Sequence, residues 1–323
     1  MPTLNDIAAA TGLHKVTVSK ILNGGGGNTR VSEEKAERVR RVAAELGYVR
    51  NLHASRLRTS ADTLVGFATG DPRNPFFAEW MMLIEEGLQE KGLELVTAYC
   101  HADDPASIRH AILNLCQQGI KALAYWSEIG PVENPVRRSD SAPPLIHMGT
   151  LPSTGPGLWF DLRAGLREAV AHLVGHGAAR IGFHCPRSAP DESDGASRLS
   201  VLREICAEHS LPSPFISTYA GESWNVEAAA AGAARLSPKD ADGWIGFNDV
   251  ASLGLLMQLP GIRNRPPAVV SIDGSAPIRA WAPAIPHLGL CRRDYADHLI
   301  RLLVGGSKDP KQPTRLTPRL IQP

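Results

Sequence analysis

Up to Leu46 the apolar positions of this chain recur three and four apart. Beyond Leu64 they come in short runs that alternate with further stretches of that helical period. The opening stretch, TLNDIAAATGLHKVTVSKI, predicts two short helices joined by a tight turn. Thr3 is placed to cap the first helix. Asp6 fills the acidic arm of a capping box, near the positive end of the helix dipole. Ile7 and Ala8 supply the buried face, and Gly12 falls at the turn, where freedom to take a positive φ is useful. In the second helix, starting near Lys15, Val18, Ile21 and Leu22 share one face. Lys15, Val16, Ser19 and Lys20 occupy the other. Ser32 opens a third helix with Glu33 and Glu34 in its first turn, an inner stripe of Ala36, Val39, Ala43 and Leu46, and Gly47 as its stop. Two crossed helices of this kind form a helix-turn-helix, whose second helix can lie in a DNA major groove. The plainer alternative is a helical hairpin at the head of an enzyme.

After Leu64 the pattern predicts strands at LVGFAT, LELVTAY, IKALAYW, PLIHM, RIGFHC, FISTY, WIGFN, AVVSID and HLGLC. Helical stretches lie between most of them, from NPFFAEWMMLIEEGLQEKG to YADHLIRLLVG. Strands and helices alternating at these lengths make βαβ units and parallel sheets. The strands are too many for one compact sheet, so the body is expected to form two similar lobes. The tail is expected to cross back over the body, with a short strand near Arg315–Ile321.

Charge separates the same two regions. Residues 1–60 hold ten Lys/Arg against five Asp/Glu, while the whole chain of 323 residues carries only +1, so the remainder is net acidic. A basic head on a mildly acidic body suits a protein whose head alone meets phosphates. A hydrophobic content of 43% permits a real core, and the apolar runs are far short of a membrane span. The start MPTLND has no basic stretch leading into an apolar one, so no secretory leader is expected. Cys100, Cys116, Cys185, Cys206 and Cys291 are dispersed without metal-type spacing and read as reduced cytoplasmic thiols.

The strings TLNDIAAATGLHKVTVSKILN and VSEEKAERVRRVAAELGYVRN, followed by the A-S-R-L segment at residues 54–57, resemble the headpiece and hinge of the lactose-repressor (LacI/GalR) family. Weaker matches extend over almost the whole chain. The resemblance implies an α/β protein: an all-α helix-turn-helix headpiece over residues 1–49, a hinge over 50–61, and a two-lobe body over 62–323. That body would have the parallel-sheet architecture of periplasmic sugar-binding proteins.

The candidate DNA contacts are Thr3, His14, Lys15, Val16, Thr17, Ser19, Lys20, Asn23, Arg30 and Leu57. Lys15 can reach guanine O6 or N7 and Val16 a thymine methyl. By resemblance, Leu57 wedges a minor-groove step beside its twin from a second subunit, with Arg56 and Arg58 on the backbone. Three departures from the family pattern stand out. Gly24–Gly27 lengthen the loop after the second helix, and His14 stands where a capping Ser or Thr is common. Arg50 replaces a frequent proline.

In two-lobe folds a ligand sits beyond the carboxyl ends of the strands. Asn74, Phe76, Phe77 and Trp80 follow the first strand, and Asp161 ends GLWFD. Arg198 follows a polar loop, and Trp224 follows AGES. Asn248 and Asp249 end WIGFN, and Asp273 ends AVVSID. Polar groups that bracket hydroxyls, beside aromatic faces, fit a carbohydrate site. The resemblance singles out Arg198, Trp224, Asn248 and Asp273. Each also has a plain structural role open to it, as a helix cap or a core side chain.

Phosphate loop, nucleophile elbow, zinc motif and nucleotide-type glycines are all missing, so neither catalysis nor a cofactor or metal is expected. His172 and His176 lack the Glu of a zinc helix. The expected partners are operator DNA, a small effector of carbohydrate type and a second copy of the chain, with no membrane. A sugar-binding protein with no DNA role is the rival reading.

Overall fold

The computed structural model describes residues 4–22, 32–46, 63–135, 142–152, 155–187, 197–259, 269–305 and 313–323. The chain divides into two compact units, Met1–Ala61 and Asp62–Pro323.

The first unit contains α1 (Leu4–Thr11), α2 (Lys15–Leu22) and α3 (Glu33–Glu45). Ile7, Val18, Val39 and Ala43 are buried together, with Leu4, Ala8, Leu13, Ile21 and Leu22 packed against them. This is the core predicted by the helical spacing, with one correction. Leu46 is 42% exposed. It lies in the turn after α3, past the point where the helical stripe still faces inward. Gly12 has φ +67°, the left-handed value for which a residue without Cβ is suited.

The second unit is built from β1 (Leu64–Thr69), α4 (Pro75–Gln89), β2 (Glu94–Tyr99), α5 (Pro105–Cys116), β3 (Ala122–Ser127), β4 (Leu145–Gly149), β5 (Gly157–Phe160) and α6 (Arg163–Gly175). There follow β6 (Ile181–Pro186), α7 (Arg198–Glu208), β7 (Phe215–Tyr219), α8 (Val226–Ala233), β8 (Gly243–Gly246) and α9 (Asp249–Gln258). Last come β9 (Val269–Ile272), α10 (Ala276–Trp281), β10 (His287–Gly289), α11 (Arg292–Gly305), β11 (Thr314–Leu316) and β12 (Arg319–Ile321).

These strands form two six-stranded sheets, ordered β11-β5-β4-β3-β1-β2 and β12-β10-β9-β8-β6-β7. The first belongs to lobe 1 and the second to lobe 2. All ladders are parallel except β10 with β12. The central strands β1, β3, β6, β8 and β9 are buried along their whole length. That explains their continuous apolar runs, because helices cover both faces of a parallel sheet.

The chain passes between the lobes more than once. It leaves lobe 1 after β5 and returns after β10, so α11 packs its Leu299, Ile300 and Leu303 into the lobe 1 core. The tail was expected to add one short strand. It adds two, and they join different sheets: β11 pairs with β5 in lobe 1, and β12 with β10 in lobe 2.

Candidate functional site

On the first unit, the outer face of α2 carries His14, Lys15, Val16 and Lys20 exposed, with Thr17 and Ser19 partly so. Val16, an apolar side chain, is 58% exposed. His14 does cap α2. Its Nδ1 accepts the Val16 N–H at 3.3 Å, and its carbonyl accepts from Thr17 at 2.8 Å and Val18 at 3.1 Å. The ring nitrogen thus takes the role of the hydroxyl oxygen that was expected to be missed. Thr3, Asn23, Gly24–Gly27, Arg30, Gly47, Arg50, Arg56, Leu57 and Arg58 lie outside the described residues.

In the second unit a cleft of about 460 Å³ runs between the lobes, past the carboxyl ends of β1, β2, β3 and β4 on one side and β6, β7, β8 and β9 on the other. Asn74, Phe76, Arg198, Trp224, Asn248 and Asp273 all line it. Three of the expected residues do not: Trp80, Asp161 and Asp249, the last being buried behind the lining where it accepts backbone N–H groups. Trp80 is fully buried in the lobe 1 core, one turn further along α4, with its ring edge-on to Phe160 at 5.9 Å. Asp161 lines a smaller neighbouring cavity. There it accepts the Arg163 N–H at 3.0 Å and forms an ion pair with Arg315 of the tail, so its carboxylate is committed to structure.

Several lining residues also carry structure. Asn74 caps α4, its Oδ1 accepting the Phe76 N–H at 3.1 Å. Asn248 caps α9 through the Ala251 N–H at 2.9 Å and donates its Nδ2 to the Ser223 carbonyl at 2.8 Å. Both functions suit a polar residue at the step from strand to helix. Phe76, Phe77 and Trp126 form an aromatic wall on lobe 1, with Trp126 centred 5.1 Å from Phe76 and 5.4 Å from Phe77.

Arg198 lies at the centre of the charged region. Its guanidinium sits 4.0 Å from the centroid of Phe247, donates Nη1 to the Phe247 carbonyl at 3.2 Å, and comes within 4.0 Å of Glu128. Its Nε is buried without a hydrogen-bond partner among the described residues. Glu128 was not among the predicted residues. It accepts Trp126 Nε1 at 2.9 Å and Thr150 Oγ1 at 3.2 Å. The same strand-end rule that selected the others could have found it, two positions past Trp126.

Asp273 takes φ +87°, a strained value for a residue with a side chain. The backbone around it is clamped. Arg292 donates to the carbonyls of Asp273 and Gly274, and its Nη1 pairs with Glu79 at 2.6 Å. Buried Asp249 accepts Ser271 Oγ at 2.6 Å, the Gly274 N–H at 3.1 Å and the Ser275 N–H. Burial pushes the Asp273 carboxyl up to about 7, with the neighbouring Arg198 pulling the other way. Asp249 is likewise raised by burial, against the pull of its hydroxyl and amide donors. In the cleft, then, donors and acceptors alternate beside aromatic faces: Arg198 Nε can still donate, Asp273 can accept or donate, and Glu128 can accept.

Elsewhere, His184 is buried and satisfied by Ser217 Oγ at 2.9 Å and the Ala229 carbonyl at 3.0 Å. His172 and His176 stack at 4.2 Å on α6. Among the described residues no group of three or more potential metal ligands occurs, and no helix is long and apolar enough to cross a membrane.

Comparison with known proteins places these features. The family described as "Bacterial regulatory proteins, lacI family" matches residues 3–51. The maltose regulon regulatory protein MalI of Vibrio furnissii is 30% identical over 125 residues, which span 39% of this chain and 88% of that protein. The HTH-type transcriptional regulator DegA of Bacillus subtilis is 26% identical over 341 residues, covering 99% of this chain and 96% of that one. A crystal structure of the lac repressor dimer bound to operator and the anti-inducer ONPF superposes with a TM-score of 0.75 at 19% identity, covering 99% of this chain and 98% of that one. With a helix-turn-helix head and a two-lobe body of that fold, the chain belongs to the LacI family of bacterial regulatory proteins and is a DNA-binding transcriptional regulator.

Proposed function

We propose that this regulator is a repressor that grips a pseudo-palindromic operator as a homodimer and is switched by a small polar effector, a sugar or sugar derivative, bound between the lobes of its body. In this reading residues 1–49 are the headpiece, 50–61 the hinge and 62–323 the effector-binding and dimerising body. The chain works in the cytoplasm and performs no catalysis. His14, Lys15, Val16, Thr17, Ser19 and Lys20 meet DNA from α2 and its cap, and Thr3, Asn23, Arg30 and Leu57 are the further DNA contacts of this reading. The observation that carries the reading is the combination of an exposed, basic α2 face with a cleft that offers Arg198, Asn248 and Asp273 beside aromatic walls. A ligand that prefers one lobe arrangement shifts the equilibrium toward it, and its affinity is then coupled reciprocally to that for operator.

The first test is selection of bound sites from randomised duplexes by the full chain. A two-fold symmetric consensus is expected; an asymmetric one, or no enrichment, overturns the operator reading. The second is a sugar panel screened by thermal shift, followed by Arg198→Ala with any hit. A hydrogen bond to a charged group contributes about 1.5–3 kcal/mol, roughly ten- to a hundredfold in affinity. Arg198→Ala should therefore weaken the hit by that factor while operator affinity without ligand stays near wild type. An unchanged ligand response refutes the placement of the site.

A further inference from the structure

Trp224 lines the cleft from lobe 2, on the segment between β7 and α8. Its indole is covered by a residue of the opposite lobe. The guanidinium of Arg73, in the loop between β1 and α4, sits 3.5 Å from the centre of the Trp224 ring. Arg73 itself does not line the cleft. Its side chain is 61% exposed, a setting in which a lone arginine samples many rotamers. This one is held. Its backbone N–H and its Nε–H both donate to Asp71 Oδ1 at 2.9 Å, and Nη2 donates to Asp71 Oδ2. Hydrogen bonding to Arg73 holds the Asp71 carboxyl below its usual range, so the brace stays ionised at neutral pH. Glu222, two residues before Trp224, adds an attractive carboxylate from lobe 2. Tyr99 is the other titratable group facing Arg73. The Trp224 Nε1–H is buried and has no hydrogen-bond partner among the described residues, which leaves a donor unspent on a residue of the cleft wall.

We propose that Arg73, braced by Asp71, is the positioning residue of the cleft: it pins Trp224 from across the lobe boundary, and this contact must break for the cleft to open. The physical basis is cation–π attraction between groups carried by the two lobes. An arginine fixed in advance by its own carboxylate loses little freedom on closing, so more of the attraction is available to hold the lobes together. The planar fork matters as well, because a lysine can supply the charge but not the paired hydrogen bonds to Asp71. The inference rests on reading the cleft as the ligand site. Its test uses ligand-free protein, so a failed ligand screen leaves the latch standing and a failed latch leaves the site standing.

The experiment is steady-state fluorescence of the full chain with acrylamide quenching. Trp224→Phe in each background isolates the Trp224 emission by difference. Arg73→Ala should shift that emission to longer wavelength and steepen its quenching, as the ratio of closed to open cleft falls by about two- to fivefold, the range set by cation–π strength at an exposed site. Arg73→Lys should fall between wild type and Arg73→Ala. Asp71→Asn, which keeps the guanidinium and weakens its brace, should move the same signals in the same direction. The thermal midpoint should hardly change, since Arg73 belongs to no core. Trp224 emission and quenching that stay at wild-type values in Arg73→Ala overturn the proposal. So does a fall in thermal midpoint with no selective change at Trp224, which would make Arg73 merely structural. Should Arg73→Ala fail to fold, wild-type signals in Asp71→Asn overturn it equally.

Discussion

Replacing Asp273 by Asn should change how the stability of the body depends on pH, and the sign follows from the direction of its shift. Burial moves the folded-state carboxyl from an ordinary 3.8 up to about 7. Between those values the native state keeps a proton that the unfolded chain has already released. Stability falls with pH wherever the native state binds more protons than the unfolded one. Asp273 therefore stabilises the fold most below pH ~4, and that contribution is lost as pH rises toward ~7. Each pKa unit corresponds to about 1.36 kcal/mol, so the shift sets a ceiling of roughly 4 kcal/mol over this window. The side chain keeps some exposure, which brings the expected value to about half of that.

Histidines oppose the trend. His147 is held down to about 4 by burial, and His172, His184 and His287 are lowered for the same reason. Groups of that kind make stability rise with pH across the same interval. The raw profile is therefore a sum of opposed slopes; the difference between wild type and Asp273→Asn cancels the histidines and leaves the Asp273 carboxyl together with its repulsion of neighbouring Asp249. The assay is urea denaturation at several pH values between 4 and 8, read by tryptophan fluorescence. All six tryptophans lie at position 80 or later, so the signal reports on the second unit alone. Asp273→Asn should gain on wild type as pH rises, by about 2 kcal/mol between pH 4 and pH 7. Parallel profiles for the two proteins would refute the argument.

Two further outcomes follow from other parts of the molecule. Asp249→Ala leaves the Ser271 hydroxyl and the amides of Gly274 and Ser275 without their acceptor, and buried donors left in this way cost about 1–3 kcal/mol each. A loss of at least ~3 kcal/mol in urea unfolding is expected, and a loss below ~1 kcal/mol would mean the loop re-forms its hydrogen bonds. Lys15→Ala should weaken binding to a selected duplex; if the lysine reads a base the loss is confined to particular sequences, whereas a uniform loss with a salt slope shallower by about one marks a phosphate contact.

The residues show which parts of this structure a sequence can reveal. Helix faces such as Ile7 with Val18, and the continuous runs of β1, β3 and β6, are local periodic signals, and they place nearly every element. Local signals also stop short. Phe76 and Trp80 lie one turn apart on α4, have the same character and share one core; Phe76, in the first turn, also reaches the cleft, whereas Trp80, a turn deeper, does not. Asp161 resembles a ligand residue because its partner Arg315 lies 154 positions away. Glu128 and Arg73 gain their roles from neighbours on another strand or the other lobe. The three-residue strands β11 and β12 are too short to display a period of two. The helix α10, with six residues, is too short to display one of 3.6.

The divided tail has a consequence for synthesis. Arg315 pairs beside Trp159 in one sheet, and a few residues later Leu320 pairs with Leu288 in the other. Contacts so distant in sequence form late, because closing long loops is entropically slow. Both sheets thus wait for the same short stretch, Thr314–Ile321. A growing chain can assemble its head as soon as that part emerges, whereas neither lobe has all six strands until this stretch has been made. An incomplete product would still carry the head, but each sheet of the body would lack an edge strand.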